Sequence, residues 1–259
     1  MLDSLYIAAT GMNAQQLGID TISNNLANVN TTAFKKGRVG FQDLMYRELA
    51  RANGLAGSAD NSTRSGAGVG VAGTAKLFIA GELKKTEVPL DIAIRGRGFL
   101  EVLLPDGTHA YTRAGTLQVN KDGMLVTADG NPIEPSIQVP DDASALTFAT
   151  DGRVLATVPD EKEPVELGTL TLADFVNPSG LRPLGDNLYL PTEQSGDAFT
   201  GKPAEGTFGS IAQGFLEASN VKLIDEFVAL IVAQRAYEVS AKTIQASDEM
   251  LGIANNLRR

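Results

Sequence analysis

The chain has 259 residues, of which 43% are hydrophobic and 20% charged, enough for one large or two smaller folded cores and incompatible with disorder throughout. Its net charge is -9, with the acidic excess in the middle of the chain and nearly neutral ends, which argues against nucleic acid or an anionic membrane surface as a partner. There is no cysteine, so disulfides, thiolate nucleophiles and cysteine metal sites are excluded.

The first stretch, MLDSLYIAATGM, has no basic leader and carries Asp3, so it does not read as a cleaved secretory signal. Ser4 is the expected N-cap of a first helix running to about Val29. Within it Leu5, Met12, Ile19 and Leu26 recur seven apart, with Ala8, Gln15, Ile22 and Val29 three beyond each. Gly11 and Gly18 each weaken this helix by roughly 1 kcal/mol relative to Ala, so it depends on packing. The run from Asn24 to Thr32 is rich in Asn and Thr, whose side chains compete for backbone hydrogen bonds and favour a helix end and a turn. Phe34 and Phe41, with Leu44, Met45, Tyr46 and Leu49, suggest a second short amphipathic segment.

From Ala52 to Gly73 the chain becomes small and polar and reads as a linker. Its last six residues, GVGVAG, match the dinucleotide fingerprint in form only. That fingerprint works between a buried strand and a helix, whereas here a polar stretch precedes it and a strand-like one follows. From Thr74 to about Gly214 the signals are β: runs such as LDIAI, GFLEVLL and RVLATV, with Asp-Gly turns at 106, 122, 129 and 151. One or two small antiparallel sheets or a distorted barrel are expected.

The last helix is expected over Asn220 to Leu257, with Leu223, Leu230, Tyr237, Ile244 and Leu251 seven apart. Three beyond each lie Glu226, Ala233, Ser240, Ser247 and Ala254, mostly small residues that favour close approach of another helix. The first half, which includes Phe227, is apolar on almost every side and must be buried all round. Its unbroken apolar run is far below the roughly 18 residues of a membrane span, so the burial has to come from protein. The reading is an α+β chain. A discontinuous helical coiled-coil domain is formed by the N- and C-terminal helices (1–50 and 215–259), with a Gly-rich linker (51–73) and an inserted, mainly antiparallel β domain (74–214).

Residues with catalytic potential are sparse. His109 is the only histidine and reads as a surface or cross-strand residue sharing a face with Tyr111 and Arg113. Asp141, Asp142, Asp160, Glu161, Glu163 and Glu166 sit in apparent loops and leave a paired-carboxylate hydrolase as the alternative reading. No metal or cofactor site is expected.

Three stretches carry a resemblance. NNLANVNTTAFKKGRVGFQDL (24–44) is similar to the N-terminal motif of the bacterial flagellar rod and hook proteins, through Asn25, Leu26, Ala27, Asn28, Thr31, Thr32 and Phe34. GFLEASNV (214–221) with LIVAQRAYEVSAKTIQASDEML (230–251) resembles the matching C-terminal motif, and residues 90–133 resemble the central β domain. Length and the AQRAYE and NLYLPTEQSG stretches look most like the distal-rod branch, with the proximal rod subunit of similar length as the alternative. The resemblance implies a non-enzymatic subunit without cofactors that polymerises with itself into a hollow helical shaft transmitting torque from motor to hook. It implies assembly through Leu5, Met12, Ile19, Leu26, Leu223, Phe227, Leu230, Tyr237, Ile244 and Leu251. The implied partners are other rod subunits, the hook protein, the basal-body rings and the flagellar type III export apparatus, with no nucleic acid and no membrane insertion. The implied location is the basal body across the periplasm, reached without a cleaved signal peptide, with termini poorly ordered until assembly.

Overall fold

The computed structural model describes residues 2–44, 47–48, 64–159 and 163–256. It is α+β, with a helix at each end and antiparallel strands between. Two compact units emerge: a helical unit of Met1–Ala27, Gly37–Lys76 and Lys222–Arg259, and a β unit of Asn28–Lys36 and Leu77–Val221. The backbone therefore crosses from one to the other at 27/28, 36/37, 76/77 and 221/222.

The helical unit contains α1 (Leu2–Ala27), β1 (Gly37–Asp43), β2 (Arg47–Glu48), β3 (Arg64–Ser65), β4 (Val69–Lys76) and α2 (Leu223–Asn256). Helix α1 already runs at Leu2, which puts Ser4 inside its first turn and not at the expected cap. The segment expected to be amphipathic is in its described part a strand, β1, paired antiparallel with β4. Met45, Tyr46 and Leu49 lie outside the described residues. The linker reading fails at its end for the same reason: Val69 and Val71 alternate with glycine at the strand period, and 69–76 join β1 as a ribbon with a bulge between Gly40 and Phe41. Thus GVGVAG opens a strand, not a phosphate loop. Gly68, at φ +108°, is where a side chain would overlap Thr10 Oγ1 of α1.

The β unit begins with β5 (Leu83–Lys85), β6 (Ile92–Arg95), β7 (Phe99–Leu103) and β8 (His109–Thr112). It continues with β9 (Leu117–Val119), β10 (Leu125–Thr127), β11 (Ile133–Glu134), β12 (Ala145–Phe148), β13 (Arg153–Thr157) and β14 (Val165–Thr169). The last strands are β15 (Leu172–Asp174), β16 (Arg182–Gly185), β17 (Leu188–Leu190), β18 (Phe199–Gly201), β19 (Ser210–Gln213) and β20 (Phe215–Glu217). The largest sheet runs β16-β17-β8-β7-β15-β18, with β11 sharing the β15 edge of β7. A three-stranded sheet β12-β13-β14 and the pairs β9/β10, β6/β19 and β5/β20 complete it.

All four Asp-Gly dipeptides form one turn. In each, the residue three before the glycine accepts the glycine N–H, and its own N–H donates to the carbonyl just after the glycine: Leu104/Thr108, Asn120/Met124, Thr127/Asn131 and Ala149/Arg153. Each glycine has positive φ, between 74° and 90°, which closes a type I turn into its bulge. Strand alternation then divides the core. Leu100 and Val102 of β7 join Ile92, Ile94, Leu172 and Ile211 in one apolar cluster. Phe99 joins Tyr111, Phe175 and Tyr189 in another, built from edge-to-face rings.

Candidate assembly site

In the helical unit α1 and α2 pack against each other and run antiparallel. Asn25 near the end of α1 donates from Nδ2 to Glu226 Oε2 (3.1 Å) near the start of α2. Gly11 meets Ser240, whose Oγ would lie 3.6 Å from a Cβ built there. The buried α2 positions are Glu226, Ala233 and Ser247, all three beyond the apolar heptad residues, so the small residues bring the backbones together. On α1 the buried residues include Ala8 and Ala14. The predicted seam residues Leu5, Met12, Ile19, Leu26, Leu230, Tyr237, Ile244 and Leu251 are half-buried. Leu223 and Phe227 remain exposed, at 45% and 44%.

The rest of the apolar start of α2 is bare. Ile224 (75% exposed), Val228, Ile231, Val232 and Val239 form a solvent-facing row. Burying such side chains is worth roughly 1.5–3 kcal/mol each. A row of this kind marks a contact surface.

The motif residues of 24–36 build a reversal. The Asn25 side chain grips Gly37 from both sides, Oδ1 accepting its N–H (2.8 Å) and Nδ2 donating to its carbonyl (3.0 Å). Thr31 donates through Oγ1 to Asn28 Oδ1 (3.1 Å) and through its N–H to the Asn28 carbonyl (3.2 Å). The Thr32 carbonyl accepts from Asn187 Nδ2 (3.1 Å), Ala33 takes a left-handed φ of 58°, and Phe34 is buried. Leu26 is half-buried and Ala27 exposed. Asn25, Leu26 and Ala27 thus belong to the helical unit and Asn28, Thr31, Thr32 and Phe34 to the β unit.

Sequence reasoning missed the densest polar feature of the β unit. Lys35 Nζ lies 2.6 Å from Glu217 Oε1 and donates to the Ile79 carbonyl (2.8 Å), while Arg113 Nε lies 2.7 Å from Glu217 Oε2. The Gly81 N–H also donates to Glu217 Oε1 (2.7 Å). Arg113 spends its other donors on the carbonyls of Gly98, Ile94 and Gly96. Burial alone would push the Glu217 carboxyl up, but Arg113, Lys35 and these hydrogen bonds outweigh it and hold the group below its ordinary value. Burial draws Lys35 below the usual lysine value by more than Glu217 lifts it. The available signal was a charged residue inside each quoted stretch: Lys35 after Phe34, Arg113 after Tyr111, and Glu217 amid GFLEAS.

His109, half-exposed, lies 2.9 Å from Glu101 Oε1 at the strand surface. Glu166 lines a cavity of about 290 Å³ with Asp151, Arg153 and Lys202, while Asp160 and Glu161 lie outside the described residues. Among the described residues no group of three or more His, Asp or Glu could hold a metal ion, and no helix is long and apolar enough to cross a membrane.

Three family models match in chain order. Residues 5–35 match the flagella basal body rod protein model, 93–156 the flagellar hook protein FlgE/F/G D1 domain, and 212–257 the flagellar basal body rod FlgEFG protein C-terminal model. The chain is 44% identical to the flagellar basal-body rod protein FlgG of Borreliella burgdorferi, over 100% of both chains. The chain belongs to the flagellar basal-body rod protein family. A FlgG of Caulobacter vibrioides is 41% identical over 99% of this chain and 100% of its own, and the Bacillus subtilis hook-basal body complex protein FlhP is 29% identical over 100% of both. The family models at the two ends cover the reversal motif and α2, and Lys35 and Glu217 each fall inside one of them.

Proposed function

We propose that the protein is a structural subunit of the distal rod of the flagellar basal body, and that it acts by polymerising rather than by catalysis. The observation that carries this is the bare apolar row of α2 on an already paired helix, Ile224, Val228, Ile231, Val232 and Val239. A second copy covering it through a different surface makes a heterologous contact that does not close, which builds a helical filament. In this reading the helices supercoil as a coiled coil and stack into the wall of a hollow shaft that spans the periplasm and passes torque to the hook. Leu223 and Phe227 then join the row, and Leu5, Met12, Ile19, Leu26, Leu230, Tyr237, Ile244 and Leu251 support it from the seam. The family's FlgG members, named as basal-body rod proteins, support the assignment. Other rod subunits, the hook protein, the rings and the export apparatus are the partners this role requires.

Sedimentation of the full chain beside an Ile224→Asp/Val228→Asp variant tests it. The wild type is expected to associate with rising concentration and the variant to stay monomeric with unchanged helix content. Equal sedimentation of the two at every concentration would remove the row from the assembly surface.

A further inference from the structure

We propose that the β unit carries a knob and a hole that fit each other, the knob of one copy seating in the hole of a second. This rests on the assembly reading above and adds to it a contact made by the β units. The knob centres on Arg97, whose Nε lies 3.0 Å from Asp174 Oδ2; the carboxylate is buried although the Arg97 side chain is 59% exposed. Oδ1 of that carboxylate accepts the Phe175 N–H (2.9 Å), whereas Oδ2 has the Arg97 charge beside it but accepts no well-aligned hydrogen bond among the described residues. A buried carboxylate whose counter-charge stands half in water is an unfinished pair, and a surface that closes over Arg97 strengthens it by excluding that water. Phe199 faces Asp174 in the register of β15 and β18, is exposed, and meets Phe208 edge to face at 5.7 Å. The backbone after Phe208 returns to Arg97, the Gly209 N–H donating to its carbonyl (2.7 Å). Arg97, Asp174, Phe199 and Phe208 thus close a ring of contacts that presents a guanidinium beside an aromatic face, the residue types enriched where proteins meet.

The hole is built from other residues of the same unit. A cavity of about 520 Å³ is lined by Val88, Leu90, Val119, Val139, Pro140 and Leu146, and Asp141 is the one charged residue on its wall. Val88 and Val119 stand exposed there. Backbone groups on the wall are already paired, the Val139 N–H with the Gly123 carbonyl and the Ala143 N–H with that of Pro140. What the cavity offers is therefore an apolar surface and a carboxylate, the complement of an aromatic ring beside a guanidinium. Its volume is within the range of sites that enclose groups of this size. Two copies of a chain of net charge -9 repel at long range, so their contact needs local opposite charges, which Arg97 and Asp141 supply. Because knob and hole are different surfaces, each copy added leaves one of each free, and the contact propagates.

The chain has no cysteine, so Phe199→Cys and Val119→Cys each supply a single thiol, both at exposed positions outside the two core clusters. Full chains carrying one or the other are mixed under mild oxidation, and the disulfides are read by peptide mass. Links joining position 199 to position 119 are expected to exceed links between like positions by roughly tenfold, since only knob and hole bring those backbones within disulfide reach. Asp141→Lys in the Val119→Cys chain should slow that link about tenfold, by setting like charge against Arg97. Equal yields of mixed and like links overturn the knob and hole, as does a mixed link indifferent to Asp141→Lys. Sedimentation of the wild type separates this contact from the rod reading: association without the mixed link leaves the helix row standing and sinks the β-unit contact. A mixed link that persists when both chains also carry Ile224→Asp/Val228→Asp, in a protein whose wild type sediments no differently from that variant, leaves the β-unit contact standing and removes the row.

Discussion

Lys35 and Glu217 stand 182 residues apart in the chain and 2.6 Å apart in space, with neither side chain reached by solvent. Removing the carboxylate strands two buried cations at once, since Arg113 shares it. Glu217→Ala is therefore expected to destabilise the β unit by roughly 3–5 kcal/mol. Lys35→Met leaves Glu217 with Arg113 and the Gly81 N–H, and should cost clearly less. Thermal melts of both variants check the ranking; equal losses would mean that the cluster does not centre on Glu217.

The same carboxyl sets an acid limit. Its folded-state pKa lies below the ordinary value of 4.5, so the unfolded chain takes up the proton first as pH falls. The stability it contributes is complete above that value and is lost as pH drops through the lower, folded one. Tm should hold from neutrality down to the upper edge of this window and fall beneath it. In Glu217→Gln the fall should be shallower.

The helix pair offers a test in the opposite direction. A methyl at Gly11 would sit 3.6 Å from Ser240 Oγ, an ordinary contact, so Gly11→Ala should stabilise the helical unit by about 1 kcal/mol through helix propensity. Gly11→Leu has no such room and should push the helices apart. Circular dichroism melts at 222 nm in the far ultraviolet would separate the two.

Leu230→Asp or Ile244→Asp places a charge at a half-buried position of α2. These variants are expected to lose both helix pairing and association, whereas changes in the exposed row lose association alone. Helix content measured beside sedimentation reads the difference; full pairing in Leu230→Asp would move the seam elsewhere.

Two chemically identical turns should respond differently to one substitution. Gly107 (φ +82°) has nothing within 4 Å of a built Cβ, while Gly152 (φ +90°) would meet the Leu170 carbonyl and Pro203 Cγ at 2.7 Å. Gly107→Ala should cost only the left-handed penalty of about 1–2 kcal/mol. Gly152→Ala adds a backbone clash and should cost more, as chemical denaturation would show.

The α+β division was legible because the two periods differ, seven along the ends and two through the middle. The Asp-Gly turns were legible because glycine's left-handed φ is written into the dipeptide. The strand at 69–76 was hidden by glycine, which satisfies a ladder as readily as a linker when a partner such as β1 is at hand. The heptads picked out apolar positions on both helices, but the sequence alone did not say that Ala233 and Ser247 would be buried and Leu230 and Ile244 left half-buried. The ion cluster was illegible since its three members come from segments whose meeting depends on the finished fold, and a charge in a motif reads equally well as a solvated one.

The four crossings between the units have a mechanical consequence. A domain hung on one tether swivels and concentrates any pull on a single backbone. Here four covalent connections join the units, and Asn25 and Asn220 hold the backbone on the two sides of the one at 36/37. A cut at any one of them leaves the units joined through the other three.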